Sequence, residues 1–457
     1  MELFNADDRR PVHFMGIGGA GMSALALIAC RRGIPVSGCD NDPAGAADVA
    51  ALGAVVHRGH DPAHVEGTRA VVVTAAVKPD HPELVRAREL GVPVVPRKEA
   101  LAALIAGGRT VAAAGTHGKT TTTVMTTEAL AAAGLAPTGL AGGRVSSWGG
   151  NAKLDGDALF VVEADEYDKA FLALRPTVAI VNNVEADHLE CYGSVAALED
   201  AFVEFAGRAE TVLIGADDSG ARRVAARLSN RVWRFGAAAD AALRIMDVAP
   251  SAAGTTSRVL LPGGREVTLR LRVPGMHNLR NAVGALGAAL ALGAHLEPAL
   301  EALAGFGGVG RRFERLGERG GVELVDDYAH HPSELVATLA AARQAYPGRR
   351  LVAVFQPHLF SRTAAHAEAM GVALAAADLA VVTEIYAARE APLPGVSGRQ
   401  VADATGRAGT AVIFEPDRDA LGRRVLAALR PGDVVLTLGA GDITRLGPEL
   451  AAWLSAA

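Results

Sequence analysis

Cysteine is scarce. Only Cys30, Cys39 and Cys191 occur in 457 residues, and no pair has CxxC or zinc-knuckle spacing. A disulfide framework is excluded, and free buried thiols in a reducing compartment are expected. Long apolar runs are also missing, since none approaches the roughly 18 residues of a membrane span. The first residues, MELFNADDRRPVHF, are acidic and polar and unlike a signal peptide. Cytoplasmic residence is expected by elimination. Basic clustering is absent too: Arg and Lys are scattered and the formal net charge is −5. A nucleic-acid partner is therefore not expected, because such sites show a basic stripe. Fixed-period repeats are also lacking.

What is present is an alternation of short apolar strands with helical stretches. PVHFMG at 11–16, AVVVT at 70–74, TVAAAG at 110–115 and LFVVEA at 159–164 read as strands of a parallel-sheet α/β protein. A soft prior of about 150 residues per domain suggests roughly three domains. The pattern restarts accordingly, giving expected domains at 1–108, 109–312 and 313–457. Within the second, TTSRVLL, PGG and REVTLRLRV predict an antiparallel hairpin and a mixed sheet.

Two glycine-rich loops carry the chemistry. Gly16-Ile17-Gly18-Gly19-Ala20-Gly21 follows a strand and opens the apolar helix MSALALIACRR, with Asp40 at the end of the next strand. Glycines there let backbone approach a pyrophosphate at the helix N-terminus. The same residues also fit a dinucleotide, a UDP-sugar, or a tight turn with Asp40 as its cap. The second loop, GTHGKTTTT at 115–123, precedes a helix expected at VMTTEALAAAG. Gly115 and Gly118 fit a phosphate cradle in which Lys119 reaches terminal phosphates and Thr120 offers its hydroxyl to Mg²⁺; a Thr-rich helix cap with an exposed Lys is the plainer alternative. Ala113 stands where the standard spacing has Gly, so the loop is a shortened variant. Downstream, Glu163 and Asp165 end a strand in VVEADEYD, and His188 lies in NNVEADHLECYG after another. Strand C-termini are where open α/β sheets place ligands. Glu163 suits Mg²⁺; a histidine is a less usual ligand, and His188 fits a structural or cap role as well.

These residues, in this order, resemble the Mur ligase family along essentially the whole chain. GIGGAGMSALA is similar to the family's UDP-sugar loop, GTHGKTTTT to its short ATP loop, and EADEYDKAF and VEADHLECYG to its metal-binding strand ends. MHNLRNAVGAL, GVGRRFE, VDDYAHHPSE, FQPHLFSRT, TEIYAAREAPLPGVSG and LGAGDI resemble its later motifs. The resemblance implies three domains: a Rossmann-like UDP-binding domain, a central P-loop ATPase domain with a mixed sheet, and a C-terminal Rossmann-like domain that delivers the amino acid.

The implied activity is ATP-dependent ligation of L-alanine to the carboxylate of UDP-N-acetylmuramate through an acyl phosphate, in peptidoglycan-precursor synthesis. Implied UDP-sugar contacts are Gly16, Gly18, Gly19, Gly21, Met22, Ser23, Asp40 and Thr74. Implied ATP contacts are Gly115, Thr116, His117, Gly118, Lys119, Thr120, Thr121, Asn278, Asn281 and Arg312. Lys119, Glu163 and His188 are the implied catalytic residues, with Mg²⁺ on Thr120, Glu163 and His188. His330, His358 and Arg362 are the implied amino-acid contacts. The partners are then UDP-N-acetylmuramate, L-alanine and ATP, with no nucleic acid and no membrane, for a monomer or weak homodimer.

Two departures stand out. Tyr167 in EADEYD replaces the Ser of many alanine-adding members and matches the murein-tripeptide recycling branch. Leu359 in FQPHLFSRT replaces a frequent Arg. Asp327, His330 and His331 also fit a plain strand-to-helix junction, and Arg311 and Arg312 fit exposed charge. The recycling ligase is therefore one alternative reading, and a nicotinamide dehydrogenase a remote one.

Overall fold

A computed structural model of the chain describes residues 3–456 except Ala75 and Arg389. Among the described residues the strands form three sheets. The first is all parallel. Its order is Val55–Arg58, Val36–Asp40, Val12–Met15, Ala70–Val73, Val94–Pro96. The chain reverses direction of winding between Val12–Met15 and Ala70–Val73, which makes a switch point where doubly wound sheets bind ligands. The Gly16 loop and Thr74 lie at the carboxyl ends of those two strands.

The second sheet runs Glu266–Leu271, Gly254–Leu260, Leu243–Ser251, Arg231–Gly236, Thr211–Gly215, Val178–Val181, Arg109–Ala114, Leu159–Glu163, Thr138–Val145, Gly150–Leu154. It is mixed: Arg109–Ala114 lies parallel to both Leu159–Glu163 and Val178–Val181, whereas Thr138–Val145 and Gly150–Leu154 pair antiparallel. The expected excursion at 254–271 is a hairpin at the sheet's edge, closed by the Leu261 N–H donating to the Arg265 carbonyl (2.8 Å). The third sheet runs Glu314–Arg319, Val322–Asp327, Val434–Leu438, Leu351–Phe355, Leu379–Val382, Ala411–Phe414, with only the first pair antiparallel. The central strands are apolar on both faces because helices cover both sides of a parallel sheet, as in VHFM, VAIV and LVAVF.

The chain divides into two compact units. One holds Met1–Asp247, Ser257–Leu269 and Arg280–Phe306; the other holds Val248–Thr256, Arg270–Leu279 and Gly307–Ala457. In the first unit, the first two sheets share one hydrophobic cluster: Phe14, Leu25 and Ile28 belong to the same core as Leu140, Phe160 and Val162. Helix Ala20–Arg31 packs against the strands Thr138–Val145 and Gly150–Leu154. Burial on this scale, at about 25 cal/mol per Å² of apolar surface, holds the two sheets as one body. In the second unit the core lies on both faces of the third sheet, with Leu339, Phe355 and Met370 on one face and Leu421, Val354 and Leu450 on the other. Among the described residues no helix is long and apolar enough to cross a membrane.

Candidate active site

The second glycine loop follows the strand Arg109–Ala114 and is flanked by the carboxyl ends of its two parallel neighbours. The helix after it begins earlier than VMTTEALAAAG predicts. It spans Lys119–Ala132, so Lys119, Thr120 and Thr121 stand in its first turn, and both threonines are buried. The early start is stereochemical. Gly118 turns the chain at φ 81°, and the Asn182 side chain donates to Thr122 Oγ1 (2.9 Å) and to the His117 carbonyl (3.2 Å). A Cβ on Gly118 would stand 2.7 Å from Asn281 Oδ1, so only glycine fits at that turn.

Neighbouring groups hold the rest of the loop. The His117 N–H donates to Asn183 Oδ1 (2.8 Å), the Thr116 N–H to the Asn183 carbonyl (3.2 Å), and the Glu185 N–H to Thr116 Oγ1 (2.8 Å). The His117 ring lies 3.6 Å from the Glu185 carboxylate. Asn182 and Asn183, which close the strand VAIV, are loop braces that sequence reasoning passed over.

Lys119 is the centre of the site. Its ammonium donates to both carboxylate oxygens of Glu166 at 2.8 Å each, and to the Gly115 (2.7 Å) and Thr116 (3.2 Å) carbonyls. The side chains are 17% and 2% exposed, so this is a buried pair. Burial works against the Lys119 charge, but Glu166, Asp165 and Glu163 together outweigh it, and the lysine pKa stands above its ordinary value. Glu166 is the partner of Lys119 that the sequence reading missed. Three acids follow one another in EADE, and spacing alone does not say which faces the lysine. Tyr192 Oη holds the Glu166 backbone by donating to its carbonyl (2.5 Å).

Glu163 ends its strand opposite Ala113, and its carboxylate accepts from the Gly142 N–H. Arg97, from the first sheet's side, lies 3.5 Å from Asp165, and Lys98 lies 3.1 Å from Asp168. His188 sits at φ 53° at the head of the short helix Leu189–Tyr192. Its Nδ1 is 3.4 Å from Glu190 Oε1, and the Tyr167 ring meets its ring edge-on at 5.1 Å. The unusual tyrosine thus packs on the very histidine that the family resemblance marks.

The first loop is braced differently. The Gly16 and Ile17 N–H groups donate to the Cys39 carbonyl (2.8 and 3.1 Å). Asp40 accepts from the Gly18 N–H (2.9 Å) and, through its other oxygen, from the Asp42 N–H (2.9 Å). A Cβ on Gly18 would lie 2.5 Å from the Asp42 carbonyl oxygen. Gly19 caps helix Ala20–Arg31, and Gly21 faces the Arg97 guanidinium. Met22 is buried in the core, leaving its backbone alone near the loop. Ser23 Oγ donates to the Ala20 carbonyl (3.1 Å) and accepts from Asn151 (3.0 Å), a residue of the second sheet. Thr74 accepts the Ala76 N–H (3.2 Å).

Asn278 and Asn281 share helix Met276–Ala291; Asn278 donates to the Pro274 carbonyl (2.7 Å).

The second unit gathers the remaining predicted contacts. Arg311 and Arg312 stack on the Tyr328 ring at 4.9 and 4.4 Å. The His330 ring lies 5.2 Å from Tyr328 and 6.0 Å from His358. His358 stacks on Tyr386 (5.8 Å), and its Nδ1 is 3.3 Å from Arg362 Nη1. Arg362 is buried in helix Phe360–Leu374, and Ser361 donates to Glu390 through its N–H (2.9 Å) and hydroxyl (2.5 Å). FQPHLFSRT and IYAARE are therefore neighbours; Arg389 itself lies outside the described residues. Leu359 is buried at φ 70°. Asp327 is a brace: it accepts from the Phe313 and Ala329 N–H groups (2.7 and 2.8 Å), and burial pushes its pKa up to about 6. His331 and Glu334 form a capping box at the start of helix Pro332–Ala345. Asp327 and His331 thus build the junction.

Three domain descriptions match the chain in order: Mur ligase family, catalytic domain, over 11–109; Mur ligase middle domain over 113–289; and Mur ligase, glutamate ligase domain, over 311–441. The UDP-N-acetylmuramate–L-alanine ligase of Kineococcus radiotolerans is 49% identical over 449 residues, 96% of this chain and 95% of the relative. The protein of the same name from Streptomyces coelicolor is 46% identical over 445 residues, 96% of each chain. The crystal structure of the UDP-N-acetylmuramate–alanine ligase of Thermotoga maritima is similar with a TM-score of 0.85 at 30% identity, covering 98% of this chain and 99% of that one. The chain belongs to the Mur ligase family.

Proposed function

We propose that the chain joins L-alanine to the carboxylate of UDP-N-acetylmuramate, driven by ATP, in peptidoglycan-precursor synthesis. The observation that carries the reading is the buried Lys119 ammonium on the loop at the head of helix Lys119–Ala132, gripped by Glu166 beside Glu163 and Asp165. Relatives 45–49% identical over nearly the whole chain, all named UDP-N-acetylmuramate–L-alanine ligase, support the substrate assignment.

Amide formation from a carboxylate and an amine is uphill in water, and carboxylate oxygen is a poor leaving group. ATP solves this by converting the muramate carboxylate to an acyl phosphate. The alanine amine then attacks, and phosphate leaves from the tetrahedral intermediate. Phosphoryl transfer needs positioning and charge neutralisation more than covalent groups of the protein.

In this reading Gly115, Thr116, His117, Gly118, Thr120 and Thr121 receive the ATP phosphates, with Asn278, Asn281 and Arg312 completing the nucleotide contacts. Lys119 exchanges Glu166 for phosphate oxygens. Glu163, Thr120 and His188 would hold Mg²⁺, which supplies positive charge against the phosphates when bound. The carboxylates around Lys119 fit a hard cation. The first loop, from Gly16 to Ser23 with Asp40 and Thr74, takes the UDP-sugar. His330, His358 and Arg362 take the amino acid. A monomer or weak homodimer in the cytoplasm belongs to the same proposal.

Tyr167 favours a second reading, the murein-tripeptide ligase. Phosphate release from ATP with UDP-N-acetylmuramate and a panel of acceptors separates the two. L-alanine as the acceptor with highest kcat/KM supports the proposal; release with the tripeptide and none with alanine overturns it.

A further inference from the structure

We propose that the first sheet carries a zinc-type metal site built from Cys39, His60 and Glu83. The three side chains come from different elements: Cys39 from the strand Val36–Asp40, His60 from the loop after Val55–Arg58, and Glu83 from the first turn of helix Pro82–Glu89. Cys39 Sγ lies 3.2 Å from His60 Nδ1 and 3.2 Å from Glu83 Oε2, and His60 Nδ1 lies 3.5 Å from Glu83 Oε2. Metal–ligand bonds of about 2.0–2.3 Å give tetrahedral edges of about 3.3–3.8 Å. The triangle is thus close to one face of a tetrahedral site before any adjustment.

The surroundings supply the rest. Ligand atoms of His13 and His64 lie within 4.8 Å of those of Cys39 and Glu83, and that of His81 lies within 4.8 Å of those of His60 and Glu83. Imidazoles thus flank the triangle on two sides, each near two of its three corners. His13 is wholly buried; its Nδ1 bonds Ser37 Oγ (3.0 Å) while its Nε2 has no hydrogen-bond partner. Glu83, itself wholly buried, keeps its second oxygen on His64 Nδ1 (3.0 Å) and the Asp61 N–H (3.0 Å), the kind of outer contact that orients a metal-binding carboxylate.

The protonation states of His13 and Glu83 suit a cation, and that of Cys39 has to change on binding. Burial lowers the His13 pKa to about 4, leaving a neutral imidazole. Burial opposes the Glu83 charge, but bonds from Cys39, Asp61 and His64 outweigh it and hold the carboxyl ionised. Burial, then Glu83, pushes the Cys39 thiol pKa up. Metal binding therefore displaces one proton from Cys39 as the thiolate forms. The exposed His60 gives the ion a way in. A sulfur–nitrogen–oxygen set selects zinc or cobalt over magnesium. The site is separate from Thr120, Glu163 and His188, and it is independent of the ligase reading.

The test is titration of the full-length chain with Co²⁺ under excess Mg²⁺, followed by Zn²⁺ competition. One equivalent of Co²⁺ should bind with a thiolate-to-cobalt charge-transfer band and tetrahedral visible bands. Cys39→Ser should lose the charge-transfer band, although Cys30 and Cys191 remain, and His60→Ala should weaken Zn²⁺ binding at least tenfold. His60 is exposed, so that variant folds even where Cys39→Ser does not. No charge-transfer band in the wild type, a band that survives Cys39→Ser, or unchanged Zn²⁺ affinity in His60→Ala overturns the proposal.

Discussion

The two glycine-rich loops follow the same plan, strand to glycines to helix, but they are held in opposite ways. In the first, the loop's backbone donors are satisfied by fixed acceptors: the Cys39 carbonyl takes the N–H groups of Gly16 and Ile17, and the Asp40 carboxylate takes that of Gly18. The Arg97 guanidinium beside Gly21 is not the group that holds the loop's N–H donors. In the second, a buried ammonium is locked to a buried carboxylate, with two more acids close by. The first loop is thus specified by shape and the second by charge. Shape suits a ligand that stays intact, because a fixed backbone approach grips a diphosphate without reacting with it. Charge suits a phosphate that is transferred, because a preorganised cation stabilises what develops in the transition state.

Lys119→Ala tests the charge side most severely. We expect ligation to fall by about 10²–10³-fold, the scale of losing a preorganised stabilising group. Glu166 would be left buried without its partner, costing about 3–5 kcal/mol of stability, as for other broken buried pairs. Lys119→Ala with Glu166→Gln should recover the melting temperature but not the activity. UDP-sugar affinity should hold in both. Calorimetry and phosphate release read these, and near-normal turnover in Lys119→Ala would dissolve the contrast between the loops.

Arg362→Ala lies outside both loops and calibrates them. A lost charge-assisted bond of about 1.5–3 kcal/mol raises the alanine KM by roughly 10–150-fold. Arg362→Lys should recover part of it, since the planar fork is gone. KM for the UDP-sugar should hardly change. An alanine KM within twofold of wild type would remove Arg362 from the amino-acid site.

Gly18→Val tests the shape side. The new Cβ meets the Asp42 carbonyl, so overpacking of about 1–3 kcal/mol is expected in the loop. UDP-sugar affinity should drop by about 5–150-fold on that scale while ATP binding is spared. Unchanged UDP-sugar affinity by calorimetry would show that close backbone approach is not what the first loop provides.

Glu163→Ala should have the smallest effect. The half-saturating Mg²⁺ concentration should rise about 10-fold or more, the usual result of losing a metal-site contact. An unchanged Mg²⁺ titration would make Glu163 a strand-end partner of Gly142 and nothing more.

The alternation of apolar strands with helices was legible because periodicity is local, and so were the two loops and the edge hairpin. The start of the second loop's helix was not. A run of threonines has weak helix propensity, and only Asn182 and Gly118 place it in the first turn. Glu166 was hidden for another reason: neighbouring acids along EADE look alike until the backbone turns one of them toward Lys119. Asp327 admitted two readings, and burial with two backbone N–H donors makes it a brace.

By itself, then, the sequence determined the class of fold, the order of the loops and the chemical types available to each, because glycine spacing, strand period and charge are properties of neighbouring residues. The tertiary structure decided which carboxylate answers the lysine, where Tyr167 rests, and that Cys39, His60 and Glu83 meet. Those are contacts between residues 21 to 47 positions apart, and no local pattern encodes them.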